Sequence, residues 1–293
     1  MGVLFKTEKR RESGVEQKNP GLSGMGINPT LNDILLFLNR IAPLPMAEDW
    51  DNPGLQVGDL SLKVRKILTS LDPDLSVVRE ASARKAELIL THHPLIFRSI
   101  SSVNRKIYPG DVIFEACEAG IAIVALHTNL DMAQGGINDM LASLFQLKNV
   151  EVLQKNPVHL LSGLGRIGDL PVSEPLFSFA QRIKPLLGTE LLAMSGSNDK
   201  RVKRVAVVGG SGGNLVPLAF EMNADVLITG DVSHHDALRA RSLGLALIDA
   251  GHFQTEKTAF ALFANRLKEL INQEGWDVVV ETYEEERNPL QWI

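Results

Sequence analysis

Six short runs of apolar residues, separated by helical patterns, constrain the fold of this chain most strongly. Uninterrupted apolar runs are typical of strands that are buried on both faces. Their alternation with amphipathic helices predicts parallel sheets covered by helices, and therefore an α/β fold. The predicted strands span residues 67–71, 88–91, 121–126, 204–208, 224–229 and 245–249.

Histidines follow two of these predicted strands. His92 and His93 come directly after the second strand, and His127 follows the third, with Asp131 four residues later. Functional groups gather beyond the carboxyl ends of parallel strands, so we expect a shared site there. Neighbouring side chains on an extended chain diverge, so His92 and His93 do not easily chelate one ion. They can instead serve two adjacent ions; the alternative is that each is a hydrogen-bonded structural histidine.

His252 and Glu256 lie four residues apart at the start of the last predicted helix, so their side chains share one face. Such a pair is otherwise a common surface feature. With His92, His93 and Asp131 it makes three imidazoles and two carboxylates. This donor set suits two ions of Zn²⁺, Mn²⁺ or Fe²⁺ better than Ca²⁺ or Mg²⁺. A carboxylate can bridge two such ions about 3.5–4 Å apart.

Ligands from both ends of the chain require the final helix to pack beside the first α/β unit. We therefore predict two interleaved α/β lobes with a dinuclear metal site in the cleft between them. Residues 29–150 and 250–293 form the first lobe, which carries most ligands, and residues 151–249 form the second. The segment 150–198 shows no evident chemistry. Residues 1–28 are predicted to be a disordered leader.

Three further polar residues cluster after a predicted strand of the second lobe. Asp231 follows the strand after Gly230, and His234 and His235 begin a helix that Ser233 is expected to cap. Together with His127, the residues Asp231, His234 and His235 are candidates for proton transfer or for a supporting role behind the metal ligands. The alternative is that they are exposed helix residues.

The glycine-rich segment 209–213 has two interpretations. Backbone N–H groups in such a loop can bind phosphate at a helix N-terminus. The segment lacks the Lys and Ser/Thr of a P-loop and the spacing of a dinucleotide fingerprint, so we expect a tight turn.

Composition excludes several classes of protein. The net charge of -5 supplies no basic field for nucleic acid. No apolar run approaches the roughly 20 residues of a membrane span. The only cysteine, Cys117, forms neither an internal disulfide nor a thiolate cage, and we expect it to be a small buried apolar side chain. These features predict a cytoplasmic protein.

Five sequence blocks, taken together and in order, resemble the signature of one family. It is the Nif3-like family of ring-forming hexamers with dinuclear metal centres, whose members are commonly called GTP cyclohydrolase I type 2 homologues. The resemblance covers about residues 29–292 and matches the compact form without an inserted domain. The blocks are residues 50–58 (WDNPGLQVG), 91–95 (THHPL), 127–131 (HTNLD), 229–232 (TGDV) and 251–256 (GHFQTE).

The resemblance implies a role for each matching ligand position. His93 and Asp131 correspond to ligands of one ion, His92 and His252 to ligands of the other, and Glu256 to the carboxylate that bridges both. His127 corresponds to a nearby histidine that is not always counted as a ligand. The resemblance also implies a toroidal homohexamer.

Two functions are compatible with these residues. The first is metal-dependent hydrolysis of a small-molecule or nucleotide substrate, either a ring opening of GTP or the cleavage of a phosphoester. The second is a non-catalytic metal-binding or regulatory scaffold. No guanine-specific motif distinguishes them.

Overall fold

The computed structural model describes residues 28–157, 159 and 161–291. The predicted leader therefore lies outside the described residues, except for Asn28. The α-helices are α1 (Leu31–Ile41), α2 (Leu75–Ala83), α3 (Gly110–Ala119), α4 (Thr128–Met132), α5 (Ile137–Leu144), α6 (Leu176–Leu186), α7 (Val216–Glu221), α8 (His234–Leu243) and α9 (His252–Gln273). The strands are β1 (Gly54–Val57), β2 (Lys66–Ser70), β3 (Leu88–Thr91), β4 (Ala122–Ala125), β5 (Lys148–Lys155), β6 (Gly163–Pro175), β7 (Ala193–Ser195), β8 (Arg201–Ser211), β9 (Val226–Gly230), β10 (Ala246–Asp249) and β11 (Val279–Thr282).

The strands form two mixed sheets, which confirms the α/β prediction. The first sheet has the order β1-β4-β3-β2-β11, and all neighbours are parallel except the edge strand β1. The second has the order β5-β6-β8-β9-β10-β7, with a parallel centre of β8, β9 and β10. All six predicted strands are present in these parallel regions. The antiparallel strands β1, β5 and β6 had no clear sequence signal.

One apolar core joins the two sheets. Leu90 of β3 and Val207 of β8 belong to the same buried cluster, together with Phe263 of α9 and Leu141 of α5. Helix α9 contacts β8 and β9 on one side and β2 and β11 on the other. The outer faces carry separate clusters, in which α2 and α3 cover the first sheet and α7 and α8 cover the second. The final helix is therefore sandwiched between the sheets.

Local signals placed several helix ends correctly. Thr30 and Asp33 form a capping box at α1, and Ser233 and Asp236 form one at α8. Gly120 ends α3 in the left-handed conformation, with φ of 66°. No helix among the described residues has both the length and the apolar character that a bilayer crossing requires.

Two local predictions were wrong. Cys117 is exposed, because it lies on the outer face of α3 rather than among the buried positions Val112 and Ala116. The segment 209–213 is not a simple tight turn, because β8 continues through Ser211 with a register shift against β9.

Candidate metal centre

The first part of the centre lies where β3 and β4 end side by side. These strands are parallel, with Thr91 opposite Ala125, so the residues that follow them leave the sheet at one edge. His92 and His93 follow β3, and His127 precedes α4, which carries Asp131. The common edge therefore brings together the residues predicted from the strand ends.

The second part comes from the N-terminus of α9. Gly230 at the end of β9 approaches this terminus so closely that a Cβ on it would lie 2.4 Å from the His252 nitrogen. His252 and Glu256 are separated by one helical turn and face the ends of β3 and β4. The packing of α9 between the sheets thus completes the group of five predicted ligands.

The two oxygens of Glu256 face two different groups of ligand atoms. Oε1 lies 3.5 Å from His92 Nε2, which is itself 3.6 Å from Asp131 Oδ1. Oε2 lies 2.9 Å from His93 Nε2 and 2.8 Å from His252 Nε2. The geometry therefore groups His92 with Asp131, and His93 with His252. This grouping differs from the one that the family resemblance implies.

Four histidines of the site are oriented in the same way. The Nδ1 atoms of His93, His252 and His127 lie 2.7 Å from the carboxylates of Asp72, Asp231 and Asp51, respectively. His92 Nδ1 lies 2.8 Å from the Leu126 carbonyl oxygen. Since each of these partners is an acceptor, Nδ1 donates, and Nε2, which faces the centre, is the nitrogen that can bind an ion once it has lost its proton.

Three buried ligand atoms lack a hydrogen-bond partner within the described part of the chain. They are His92 Nε2, Asp131 Oδ1 and Glu256 Oε2. Glu256 Oε2 is close to two imidazoles, yet neither contact has hydrogen-bond geometry. An unpaired buried polar atom is costly, and a cation bound between such atoms removes that cost. These residues therefore fit a metal ion.

Proton affinities at the centre follow from burial and from the close carboxylates. Burial raises the pKa of Asp131 well above its usual range, and the charge of Glu256 adds to this effect. Burial disfavours the charged form of His93, but Asp72 and Glu256 outweigh it and raise its pKa to about 10. In the same way, burial is outweighed at His252 by Glu256 and Asp231, and its pKa rises to about 9. Metal binding must displace such protons.

The pKa values of Glu256 and His92, the remaining groups of the centre, are lowered. Burial raises the pKa of Glu256, but the surrounding imidazoles outweigh it and hold the pKa well below its usual range. Complete burial lowers the pKa of His92. A buried anionic carboxylate beside a neutral imidazole is a suitable pair of ligands for a divalent ion.

Among the described residues, two groups have ligand atoms close enough to hold an ion. One comprises His93, His252 and Glu256, and the other comprises His92, His93 and His127, with all ligand atoms in each group within 4.8 Å of one another. His127 is therefore adjacent to the metal ligands, with Nδ1 bound by Asp51. Burial raises the pKa of Asp51, but hydrogen bonds from His127 and Thr128 outweigh it and hold the pKa below its usual range.

Of the other three candidates for proton transfer, Asp231 lies in the site, whereas His234 and His235 lie outside it. Asp231 accepts a hydrogen bond from His252 and therefore stands directly behind a ligand. His234 and His235 are exposed on α8 and belong to neither group of ligand atoms. Their two rings contact each other, with centroids 5.8 Å apart. The structure therefore does not bring this histidine pair into the site.

A cavity of about 450 Å³ opens beside the centre between the two sheets. Its wall includes the ligands Asp131, His252 and Glu256, and also Trp50, an exposed residue that contacts His127 edge-to-face. Residues of β5 and β6 complete it, although the segment 150–198 showed no chemistry in the sequence. The lining residues are Glu48, Trp50, His127, Thr128, Asp131, Met132, Gln154, Leu164, Gly209, Ser211, Asn214, His252 and Glu256.

Two buried polar residues hold the segment that carries Asp131. Asn138 donates to the Asp131 carbonyl oxygen and accepts from the Gly209 N–H, which connects α5 to β8. Arg166, which is 2% exposed, forms a two-pronged ion pair with Asp139 and donates to the carbonyl oxygens of Gly163, Gly165 and Ala133. Neither residue had a sequence signal, since each acts on a distant segment.

A family model matches residues 29–289 of this chain and describes Duf34/NIF3, NGG1p interacting factor 3. The chain belongs to the Duf34/NIF3 family. It is 34% identical over 263 residues to a GTP cyclohydrolase 1 type 2 homolog of Clostridium perfringens, covering 90% of this chain and 99% of the relative. It is 32% identical over 270 residues to a GTP cyclohydrolase 1 type 2 of Helicobacter pylori, covering 90% and 99%.

Solved structures of Duf34/NIF3 relatives support the fold. A hypothetical protein of Staphylococcus aureus has a TM-score of 0.86 and 32% identity, with 90% of this chain and 100% of the other covered. A Bacillus cereus protein related to NIF3 has a TM-score of 0.86 and 26% identity, with 91% and 100% covered. The likeness extends across both sheets, which confirms the family resemblance predicted from the sequence blocks.

Proposed function

We propose that this Duf34/NIF3 protein holds two divalent metal ions and hydrolyses a small molecule in the adjoining cavity. The observation that supports the proposal most directly is the set of three buried, unpaired ligand atoms, of which Asp131 Oδ1 and Glu256 Oε2 belong to residues of the cavity wall. A site with only a structural role has no need of a cavity beside its ligands. The names of the relatives, GTP cyclohydrolase 1 type 2, also favour hydrolysis.

The grouping of atoms suggests which residues hold each ion. His92 and Asp131 would hold one ion, His93 and His252 would hold the other, and Glu256 would contribute to both. An imidazole-rich set with two carboxylates favours Zn²⁺, Fe²⁺ or Mn²⁺. When bound, such a pair of ions would polarise a substrate and lower the pKa of a bound water towards about 7.

The protein's own groups perform the remaining tasks. Asp72, Asp231 and Asp51 orient three imidazoles through their Nδ1–H groups and keep the Nε2 atoms directed inward. His127 lines the cavity next to the ligands, so its Nε2 can accept a proton from an attacking water and return it to a leaving group. The hydrogen bond to Asp51 stabilises the protonated imidazole during this transfer.

Metal analysis and turnover test the proposal together. Purified protein loaded with Zn²⁺, Fe²⁺ or Mn²⁺ should contain close to two ions per chain, and Glu256→Gln should lose both. The loaded protein is then incubated with GTP and with a panel of phosphoesters and carboxylic esters, using Glu256→Gln as the control. Turnover that the variant lacks supports hydrolysis. Two bound ions without turnover favour the scaffold function instead.

We also propose a homohexameric ring, which the family resemblance implies, and a cytoplasmic location, which the composition implies. Light scattering of the metal-loaded protein measures the number of chains. A mass of one or two chains contradicts the ring.

A further inference from the structure

The segment that follows β11 continues beside the turn that follows β2. Strand β11 pairs in parallel with β2, with Thr282 opposite Thr69, and the Tyr283 N–H donates to the Thr69 carbonyl oxygen at 2.9 Å. Parallel strands end at the same edge of a sheet, so the residues after β11 lie next to residues 70–72. This is the edge at which the metal ligands leave β3.

Glu286 is the residue of this segment that binds the turn. Its carboxylate accepts hydrogen bonds from the Asp72 N–H at 2.7 Å and from the Leu71 N–H at 3.0 Å. The Ser70 hydroxyl, which also faces the Asp72 carbonyl oxygen, lies 2.9 Å from the same carboxylate. Hydrogen bonds to an ionised carboxylate are stronger than neutral ones, so Glu286 fixes three consecutive residues.

His93 is bound to the other side of this turn. Its N–H donates to the Leu71 carbonyl oxygen at 2.9 Å, and its Nδ1 lies 2.7 Å from the Asp72 carboxylate. The Asp72 side chain is 41% exposed, and within the described residues its carboxylate has no hydrogen-bond partner other than His93. The position of this carboxylate therefore depends on the backbone that Glu286 binds.

Lys257 connects the same segment to α9. Its Nζ donates to the Glu286 carbonyl oxygen and also lies over the Phe253 ring, 5.3 Å from the ring centroid. Lys257 directly follows Glu256 in the sequence. Glu286 thus joins the turn behind His93 to the helix that carries the other ligands grouped with it.

We infer that Glu286 is a positioning residue for the ion that His93, His252 and Glu256 would hold. Its carboxylate fixes the backbone of Asp72, and Asp72 orients the His93 imidazole through Nδ1. Glu286 touches neither the ligand atoms nor the cavity wall, so it acts only through this turn. The inference rests on the proposed metal centre and adds a residue to it.

Amide hydrogen exchange in the metal-free protein tests the first step. Glu286→Ala removes the acceptor of the Leu71 and Asp72 N–H groups, so both amides should exchange at least about tenfold faster than in the wild type. The matched control is Glu285→Ala, which removes an exposed neighbouring carboxylate without a hydrogen bond or ion pair among the described residues. Exchange that is equal in the two variants overturns the inference.

Titration with Zn²⁺ against a chromophoric chelator tests the second step, because it gives the affinity of each binding step without any assay of turnover. Asp72→Ala identifies the step to which His93 contributes. Glu286→Ala should weaken that same step by about tenfold and leave the other within about threefold. Glu286→Gln, which retains one acceptor oxygen, should give an intermediate loss, and Glu285→Ala should match the wild type.

A double variant distinguishes positioning from a general structural role. Asp72→Ala/Glu286→Ala should bind Zn²⁺ within about twofold of Asp72→Ala alone, because Glu286 then has no carboxylate to position. Additive losses in the double variant, or an equal weakening of both binding steps by Glu286→Ala, would mean that Glu286 only stabilises the fold. Either result overturns the inference.

Failure of this inference is distinguishable from failure of the proposed function. A wild type that binds two Zn²⁺ ions, with unchanged affinities in Glu286→Ala, overturns the role of Glu286 alone. A wild type that binds no Zn²⁺ contradicts the metal centre and the role of Glu286 together. Two bound ions without turnover contradict hydrolysis only, and the role of Glu286 then stands on the exchange and affinity measurements.

Discussion

Gly210 lies directly against the carboxylate of Glu256, and a Cβ on Gly210 would stand 2.1 Å from Glu256 Oε1. Gly210 has a φ of 65°, in the left-handed region that favours glycine. Its N–H is bound by Thr255, the residue before Glu256. The glycine-rich segment thus provides the space in which the carboxylate shared by both groups of ligands is held.

We expect Gly210→Ala to displace Glu256 and abolish the binding of both ions. The new methyl group would lie 2.1 Å from Oε1, and Glu256 is only 3% exposed, so the carboxylate must shift within a buried site. Metal content per chain measures the effect. Gly188→Ala is the matched control, because Gly188 has a φ of 61° and no described atom within 4 Å of its Cβ position. Equal metal content in the two variants would show that only backbone strain matters.

Removing the carboxylate behind His93 should weaken metal binding without removing a ligand. Asp72→Ala leaves His93 Nδ1 without its acceptor at 2.7 Å, so the imidazole loses its fixed tautomer and orientation. Comparable supporting groups change metal affinity by about 10–100-fold. Competition with a chromophoric chelator measures this change. Asp277→Ala, at an exposed position, serves as the control; if it weakens binding as much, the orientation of His93 is not the cause.

Arg166→Met should destabilise the metal-free protein by about 3–5 kcal/mol, because it removes the buried guanidinium from the Asp139 carboxylate and from three carbonyl oxygens. Urea unfolding in the presence of a chelator measures the free energy of unfolding without a contribution from metal. Arg79→Met breaks a surface pair of 3.2 Å with Glu115 and should cost at most about 1 kcal/mol. Similar losses in the two variants would contradict the structural importance of Arg166.

The stability contributed by Glu87 should depend on pH. Burial raises the pKa of Glu87, but hydrogen bonds from the Arg65 and Lys66 backbone and from the Arg65 guanidinium outweigh it and hold the pKa below its usual range. A lowered folded-state pKa means that the stabilisation is complete above the unfolded value and disappears as the pH falls through the folded value.

Glu87→Gln should therefore destabilise the metal-free protein by roughly 1 kcal/mol at pH 7, and the difference from the wild type should shrink below about pH 4. Urea unfolding of both proteins between pH 7 and the lowest pH at which they fold measures this difference. A difference that stays constant with pH would mean that the charge of Glu87 has no role.

Local sequence patterns were sufficient for much of the fold and for which predicted ligands lie close together. The six apolar runs form strands, because a strand that is buried on both faces needs consecutive apolar residues, and such a run is visible in the sequence. Thr30 and Ser233 were predicted correctly as helix N-caps, because a capping box involves only the cap residue and the residue three positions later. His92 and His127 were found from their positions after strands, since parallel strands bring their carboxyl ends to one edge. The sequence by itself thus determined which elements form and which side chains gather at their ends.

Only the tertiary structure decided how these side chains are grouped. His93 and His252 are 159 positions apart in the sequence, yet their Nε2 atoms lie 3.4 Å apart because α9 packs between two sheets. Neither Asp72 behind His93 nor Gly210 against Glu256 follows from a periodicity, since each contact joins separate strands and loops. The cavity wall likewise depends on β5 and β6, whose antiparallel pairing has no local signature. Periodicity reports which face of an element is buried, whereas distances between elements depend on how the whole core is packed.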